Sequence, residues 1–402
     1  MRAMILPAVR YVAILVLIPL ALYAAYIFSG AQKYAEAASI ARGAKDFKEL
    51  SDRFVALADT KGAEYAFVVL KRVNLPPNTD LHLLGHVVGD ELYKQRGVDG
   101  IGICTQDFRN ACSHAIVIGA LNEFGGEPAL LLIRDACKKA PGGPGAYTMC
   151  YHGLGHGIFA FYGYDLEPTI ALCKQTGTEE YHEREYIECV GGAVMELMGG
   201  GGHDRDAWLA SRSRYLSEDA PLAPCTSDVI PSEIKPLCLV YLTPRLWELA
   251  DIDLGRPDPT QFTKAFAFCD ALPPSQKELR DACFGGFGKE FIPLAGARDI
   301  RSVDQLPDFV YALAIEWCAY APAVDGRSAC ISEALSSVFW GGENDPNASF
   351  RFCGLVPESE MQSACYRSLA RNIQSYAVTS ERSALCARIP EEERKECTVL
   401  GI

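Results

Sequence analysis

The segment FCDALPPSQKELRDACFGGFGKEF, residues 268–291, contains the unit from which most of this chain is built. A helical pattern ends at Cys269, a Leu-Pro-Pro turn follows, and a charged helical turn leads into Cys283. Two further copies are FCGLVPESEMQSACYRSLARNIQSY at 352–376 and LCARIPEEERKECTVLGI at 385–402. Each copy predicts an antiparallel helical hairpin whose turn is closed by one disulfide.

All sixteen cysteines fall into successive pairs along the chain. The pairs are Cys104/Cys112, Cys137/Cys150, Cys173/Cys189, Cys225/Cys238, Cys269/Cys283, Cys318/Cys330, Cys353/Cys365 and Cys386/Cys397. Closing a loop of about 15 residues contributes roughly 3 kcal/mol in chain-entropy models. We therefore predict eight disulfides between nearest neighbours. Zinc is the first alternative, but the Cys-x-x-Cys spacing of structural zinc sites is absent. A reduced cytosolic protein with unused thiols is the second.

The repeats run from about residue 60 to the end of the 402 residues without a linker-like stretch. The predicted fold is all-α, a solenoid of disulfide-stapled antiparallel helical hairpins behind an N-terminal transmembrane helix. Residues 1–30 would form a membrane anchor or signal segment, and 31–60 a helical stalk or first layer. Residues 61–205 would form repeats that carry histidine, and 206–402 disulfide-linked repeats without it.

An apolar run at residues 11–28 is just long enough to span a bilayer. Positive charge precedes it at Arg2 and Arg10, which predicts a cytoplasmic N-terminus and an exported body. We expect an uncleaved anchor in the cytoplasmic membrane, with cleavage after Ala31 as the alternative. Either way the body would lie on the extracytoplasmic side, periplasmic or extracellular, where disulfides persist.

The charge pattern argues against nucleic acid as a partner. The net charge is −13, and no run of basic residues is longer than the pair Lys71-Arg72. The sequence also lacks the nucleophile elbow, the phosphate-binding loop and the dinucleotide fingerprint.

Five of the seven histidines occupy equivalent positions in neighbouring repeats. The segments DLHLLGHVVGDEL and CYHGLGHGIF align His82 with His152 and His86 with His156, and CSHAIVIG places His114 at the first of these positions. Residues four apart lie on one helix face, where two imidazoles can hold one metal ion. Neighbouring hairpins present equivalent positions on one surface, so the five rings would converge.

Two carboxylates complete the predicted site. Glu196 lies on the second helix of the next hairpin, and Asp90 lies one turn beyond His86 on the helix face that carries His82 and His86. Both are therefore candidate ligands or acceptors for imidazole N–H groups. The predicted metal ligands are His82, His86, His114, His152, His156 and Glu196, and the cofactor is a transition metal ion, Zn, Cu or Fe. The alternative is a polar seam of hydrogen-bonded core histidines. His182 is expected at the surface. His203 is expected in a loop, which either reaches into the site or only connects two hairpins.

The hairpin array resembles Sel1-like and tetratricopeptide helical repeats, although their signature residues are absent and the spacing between first cysteines varies from 33 to 52 residues. The order of a His-x-x-x-His hairpin, CSH, CYHGLGH and CVGGAVME also resembles uncharacterised exported bacterial proteins. These resemblances imply an architecture and no activity.

Two functions follow as hypotheses. The first is a membrane-anchored extracytoplasmic metalloprotein that uses its metal for catalysis or for metal handling. The second is a non-enzymatic solenoid scaffold that binds a protein partner on its concave face. No catalytic residue is assigned.

Overall fold

The computed structural model describes residues 32–33, 35–76, 79–105, 107–199, 204–340 and 344–397. These residues form helices, turns and loops, and none of them lies in a β-strand. They belong to two compact units, residues 1–76 and 77–402. The all-helical, disulfide-linked character that the sequence predicts is confirmed.

The first unit contains helical residues 35–41 and two longer helices, α1 (Phe47–Lys61) and α2 (Ala63–Leu70). Asp46 caps α1 by accepting a hydrogen bond from the Glu49 backbone N–H. Phe54 and Phe67 are buried between the helices of this unit.

The second unit contains sixteen described α-helices. They are α3 (Leu81–Arg96), α4 (Ala111–Phe124), α5 (Gly126–Cys137), α6 (Gly143–Phe161), α7 (Leu166–Cys173), α8 (Arg184–Gly199), α9 (Arg205–Tyr215), α10 (Lys235–Tyr241), α11 (Thr243–Leu249), α12 (Pro259–Asp270), α13 (Lys277–Ala295), α14 (Asp308–Cys318), α15 (Val324–Phe339), α16 (Pro346–Gly354), α17 (Ser359–Tyr376) and α18 (Thr379–Ala387). Short 3₁₀ turns occur at Gly97–Gly102, Lys174–Thr176, Val303–Gln305 and Arg394–Cys397.

Eight disulfides link the hairpins in the predicted nearest-neighbour order. Their Cα–Cα separations are 5.4 to 5.9 Å, within the range that an unstrained disulfide requires. Most join the end of a first helix to the body of a second helix. Three disulfides depart from this pattern: Cys104 follows a 3₁₀ turn, Cys225 lies in a turn, and Cys397 ends a 3₁₀ turn.

The second helix of a hairpin begins before its second cysteine. Helix α13 begins at Lys277, six residues before Cys283, where the sequence predicts a charged helical turn, and α6 begins at Gly143, seven residues before Cys150. The first turn of α13 contains the Lys277–Asp281 ion pair at 2.6 Å, one helical turn apart. The second cysteine is therefore held inside a helix.

The second helices pack side by side in chain order, from α3 and α4 through α6, α8, α10, α13 and α15 to α17. The last of these second helices, α17, also contacts α6. It meets the start of α8 as well, where the Arg184 guanidinium lies 5.1 Å from the ring centroid of Tyr376. The row therefore turns back on itself within the second unit, and its late helices come to face the early ones that carry histidine.

The prediction of a solenoid behind a transmembrane helix is wrong as a fold class. Within the described ranges, no helix combines the length and the apolar composition that crossing a membrane requires. The two longest, α6 and α13, have 19 residues, and α13 carries six charged side chains. The apolar segment 11–28 lies outside the described residues.

Glycines let α6 and α8 approach until their backbones touch. A Cβ atom at Gly155 would collide with the carbonyl oxygen of Cys189, and one at Gly192 would collide with that of His152. Only glycine fits at such positions, because any side chain would separate the two helices. This close approach sets α8 directly against the histidines of α6.

Candidate metal centre

Five imidazoles from three adjacent second helices form one buried cluster. His82 and His86 come from α3, His114 from α4, and His152 and His156 from α6. The seven ring pairs in contact have centroid separations of 4.8 to 6.2 Å. The structure thus brings all five histidines of the repeated position together.

His114 lies at the centre of the cluster. Its ring centroid is 4.9 to 5.9 Å from those of the other four histidines. Its side chain is almost fully buried, and neither ring nitrogen has a hydrogen-bond partner among the described residues. Leaving a buried polar group unpaired costs about 1–3 kcal/mol, so this ring is placed to bind something.

Three of the rings offer nitrogens at nearly ligand spacing. His82, His86 and His114 each offer one ring nitrogen, and these three nitrogens lie within 4.8 Å of one another. The Nε2 atoms of His82 and His86 are 3.1 Å apart. Nitrogens bound to one tetrahedral ion at 2.0–2.1 Å lie about 3.4 Å apart. The widest spacing among the three would therefore have to contract by up to about 1.4 Å for all of them to bind one ion.

Hydrogen bonds orient two of the rings. The Nδ1–H of His82 donates to the carbonyl oxygen of Phe108 at 2.7 Å, which leaves its Nε2 unprotonated when the ring is neutral. The Nδ1–H of His156 donates to Glu196 Oε2 at 2.9 Å, and its Nε2 has no hydrogen-bond partner within the described part of the chain. Such carbonyl and carboxylate partners are typical of metal-binding histidines.

His152 has a different set of neighbours. Its Nε2 lies 3.3 Å from Met195 Sδ, and its Nδ1 lies 3.4 Å from both the Tyr241 hydroxyl and Glu188 Oε2. Burial raises the pKa of Glu188 to about 7, so near neutral pH this side chain is partly protonated. The ring of His152 therefore lies at the edge of the cluster, against side chains from α8 and α10.

The cluster favours neutral imidazole. Burial, with a smaller contribution from His156, lowers the pKa of His82 to about 4. The same two causes place the pKa values of His114 and His152 well below the usual 6.5. Neutral imidazole is the form that coordinates metals.

A left-handed turn precedes α4 and supports the site from one side. Phe108, Arg109 and Asn110 have φ values of 62°, 55° and 63°. Each non-glycine residue in this region costs of order 1–3 kcal/mol, so the surrounding structure must enforce the turn. Its conformation presents the Phe108 carbonyl to His82 and places the Arg109 side chain beside the cluster.

A cavity of about 220 Å³ opens next to the imidazoles. Its polar lining includes His82, Arg109, His156, Glu196, Tyr241 and Lys289. Its apolar wall includes Trp247, Leu254 and Leu294. A small ligand in this cavity would lie against two of the five rings.

A charged group closes the far side of the cavity. Lys289 Nζ lies 2.5 Å from Glu290 Oε1 and 4.8 Å from the ring centroid of Tyr241. Burial alone would raise the pKa of Glu290, but Lys289 and Arg109 outweigh it and lower this pKa to about 2. Glu290 is therefore ionised in the interior of the unit.

Sequence reasoning missed these residues. The repeats after Glu196 lack described histidines, and nothing in their pattern connects Tyr241, Lys289 or Glu290 with the histidine repeats. The one usable signal was the pair Lys289-Glu290 inside the apolar, glycine-rich FGGFGKEF, where buried charges require partners.

The remaining candidates lie elsewhere. Asp90 makes no hydrogen bond or ion pair with the imidazoles; burial raises its pKa to about 7. His182 is exposed, as expected, and His203 lies outside the described residues. Glu196 contacts the cluster through His156.

Comparison with family models, with curated protein sequences and with solved structures finds no match for this chain. The all-helical architecture with eight disulfides is shown, and the assignment to Sel1-like or tetratricopeptide repeats stays a prediction.

Proposed function

We propose that this chain is an extracytoplasmic metalloprotein that binds a transition metal ion through His82, His86 and His114, with His152 and His156 completing a mono- or dinuclear site. The observation that carries the proposal is His114, a buried imidazole at the centre of four others with both nitrogens unpaired within the described residues. The eight disulfides indicate the oxidising compartment.

The donor atoms favour Zn, Cu or Fe. Imidazole nitrogens suit these ions, whereas Mg and Ca prefer oxygen ligands. Glu196 would hold His156 in the binding tautomer, and the Phe108 carbonyl would do the same for His82.

The adjoining cavity favours a catalytic role over a purely structural one. A structural metal site is closed by its protein ligands, while a catalytic site keeps one position open to substrate. His82 and His156 both line the cavity, so an ion bound by these rings would be reachable from it. A metal ion there would supply Lewis acidity or a bound water of lowered pKa.

The test is the metal content of protein produced in an oxidising compartment and dialysed. We expect at least one equivalent of Zn, Cu or Fe, and its loss from the variants His86→Asn and His114→Asn. The matched control is His182→Asn, because this histidine is exposed and lies in the turn before α8, outside the three helices that carry the cluster. Asparagine is the replacement at this position because His182 has a φ of 52°, and asparagine tolerates this left-handed backbone conformation.

Wild-type protein without metal, or cluster variants that keep their metal, would contradict the proposal. Either result would favour the second hypothesis, a helical scaffold whose histidines form a polar seam.

A further inference from the structure

The side chain of Arg109 is a largely buried cation on the wall of the cavity. Only 13% of it is exposed. Its polar contacts with described residues are an ion pair from Nη1 to Glu290 Oε1 at 3.9 Å and a cation–π contact with Trp340 at 5.8 Å. The ion pair is too long for a hydrogen bond. A guanidinium carries five N–H donors, so most of its donor capacity is available to a ligand.

Glu290 is the shared counterion of several cations. It pairs with Lys289 and Arg109, and Arg298, on the same cavity wall, also lowers its pKa. The other two lining carboxylates are engaged elsewhere: Asp80 caps α3 through the Leu83 N–H, and Glu196 holds His156. Glu290 is thus the one cavity-lining carboxylate that these three cations share.

The geometry points to a small organic acid as the ligand: we propose that Arg109, with Lys289, binds its carboxylate in this cavity, beside the histidine cluster. This inference rests on the proposed function, since it names the class of substrate that the metal site would act on. The planar guanidinium matches the two oxygens of a carboxylate, and Lys289 adds a point charge.

The apolar wall selects an organic acid over a bare inorganic anion. Trp247, Leu254 and Leu294 face the same cavity and would contact a hydrocarbon chain. The cavity volume of about 220 Å³ suits a small ligand.

The test compares butyrate with butyramide, which has the same shape without the charge, by isothermal titration of the purified protein. Inorganic phosphate is the third probe. We expect wild-type protein to bind butyrate at least tenfold more tightly than butyramide and more tightly than phosphate. Arg109→Gln should weaken butyrate binding at least tenfold and leave butyramide binding unchanged. Arg109→Lys should lie between them, because lysine keeps the charge but not the planar fork.

The matched control is Arg214→Gln, which removes an arginine that is 58% exposed and paired with Asp165. Its butyrate affinity should equal that of the wild type. Helix content by circular dichroism, measured on every variant, separates loss of binding from loss of folding.

Equal binding of butyrate and butyramide, tighter binding of phosphate, or an unchanged affinity in folded Arg109→Gln would overturn the inference. Metal content measured on the same samples separates the two proposals. Protein that holds metal without preferring butyrate overturns this inference alone. Protein without metal overturns the proposed function. The butyrate and butyramide titrations of that protein still test Arg109, because Arg109 would contact the anion directly.

Discussion

At the scale of single residues, burial determines what the histidines can do. An exposed imidazole titrates near pH 6.5 and forms hydrogen bonds with water. His114 is nearly inaccessible to solvent, is surrounded by four other imidazoles, and has a pKa well below that value. Metal binding would satisfy its nitrogens without creating a buried positive charge on the ring.

The pH dependence of metal binding follows from these pKa values. A protonated imidazole cannot coordinate metal, and the lowered pKa keeps His82 neutral until the pH falls to about 4. We therefore expect metal to be retained from pH 7 to about 5 and released as the pH falls through about 4. Dialysis at graded pH followed by elemental analysis measures this. Release with a midpoint near 6.5 would mean that exposed histidines hold the metal.

At the scale of helices, the site depends on how closely α6 and α8 pack. Gly155 and Gly192 face each other's helices, so the glycines of CYHGLGHGIF and CVGGAVME serve close packing instead of flexibility. This contact places Met195 against His152 and Glu196 against His156. A small increase in helix separation would break both contacts.

Substitution of these glycines tests that dependence. Gly155→Ala or Gly192→Ala should destabilise the protein by about 1–3 kcal/mol or more, because the new methyl group meets backbone that cannot move alone. Either variant should also bind metal less tightly, since His156 would lose Glu196. The control is Gly199→Ala on the same helix α8, where no atom lies within 4 Å of the new methyl group. Thermal unfolding and metal content measure both effects, and equal behaviour of the three variants would refute the packing argument.

At the scale of the whole molecule, the disulfides hold each hairpin, and contacts between second helices assemble the site. Cys137–Cys150 anchors α6, which carries two of the five histidines. Cys386–Cys397 links α18 to the 3₁₀ turn at Arg394–Cys397, and neither of these elements carries a cluster histidine.

Removing single disulfides should therefore separate stability from metal binding. The double variants Cys137→Ala/Cys150→Ala and Cys386→Ala/Cys397→Ala should each lose roughly 3 kcal/mol of stability, since their loops are similar in length. Only the first should bind metal more weakly, because only there does a histidine-bearing helix gain freedom. Melting temperature and metal affinity report the two effects. Loss of metal from the terminal variant alone would show that the site depends on the end of the chain.

The sequence by itself determined the repeat unit. Local signals specify each hairpin: the turn after Cys269, the charged turn before Cys283 and the short separation of the two thiols. The same repetition identified the histidine position, because equivalent residues of adjacent hairpins must be neighbours. The metal role of these residues stays a prediction, as does a protein partner.

The tertiary structure decided what faces the cluster. Arg109 reaches the cavity through the left-handed turn before α4, and Tyr241 and Lys289 reach it because the row of second helices turns back toward the helices that carry histidine. No local pattern in the sequence encodes the path of that row. The tertiary structure also made Glu196 a partner of His156, since the approach of α8 to α6 is limited by backbone contact at Gly155 and Gly192.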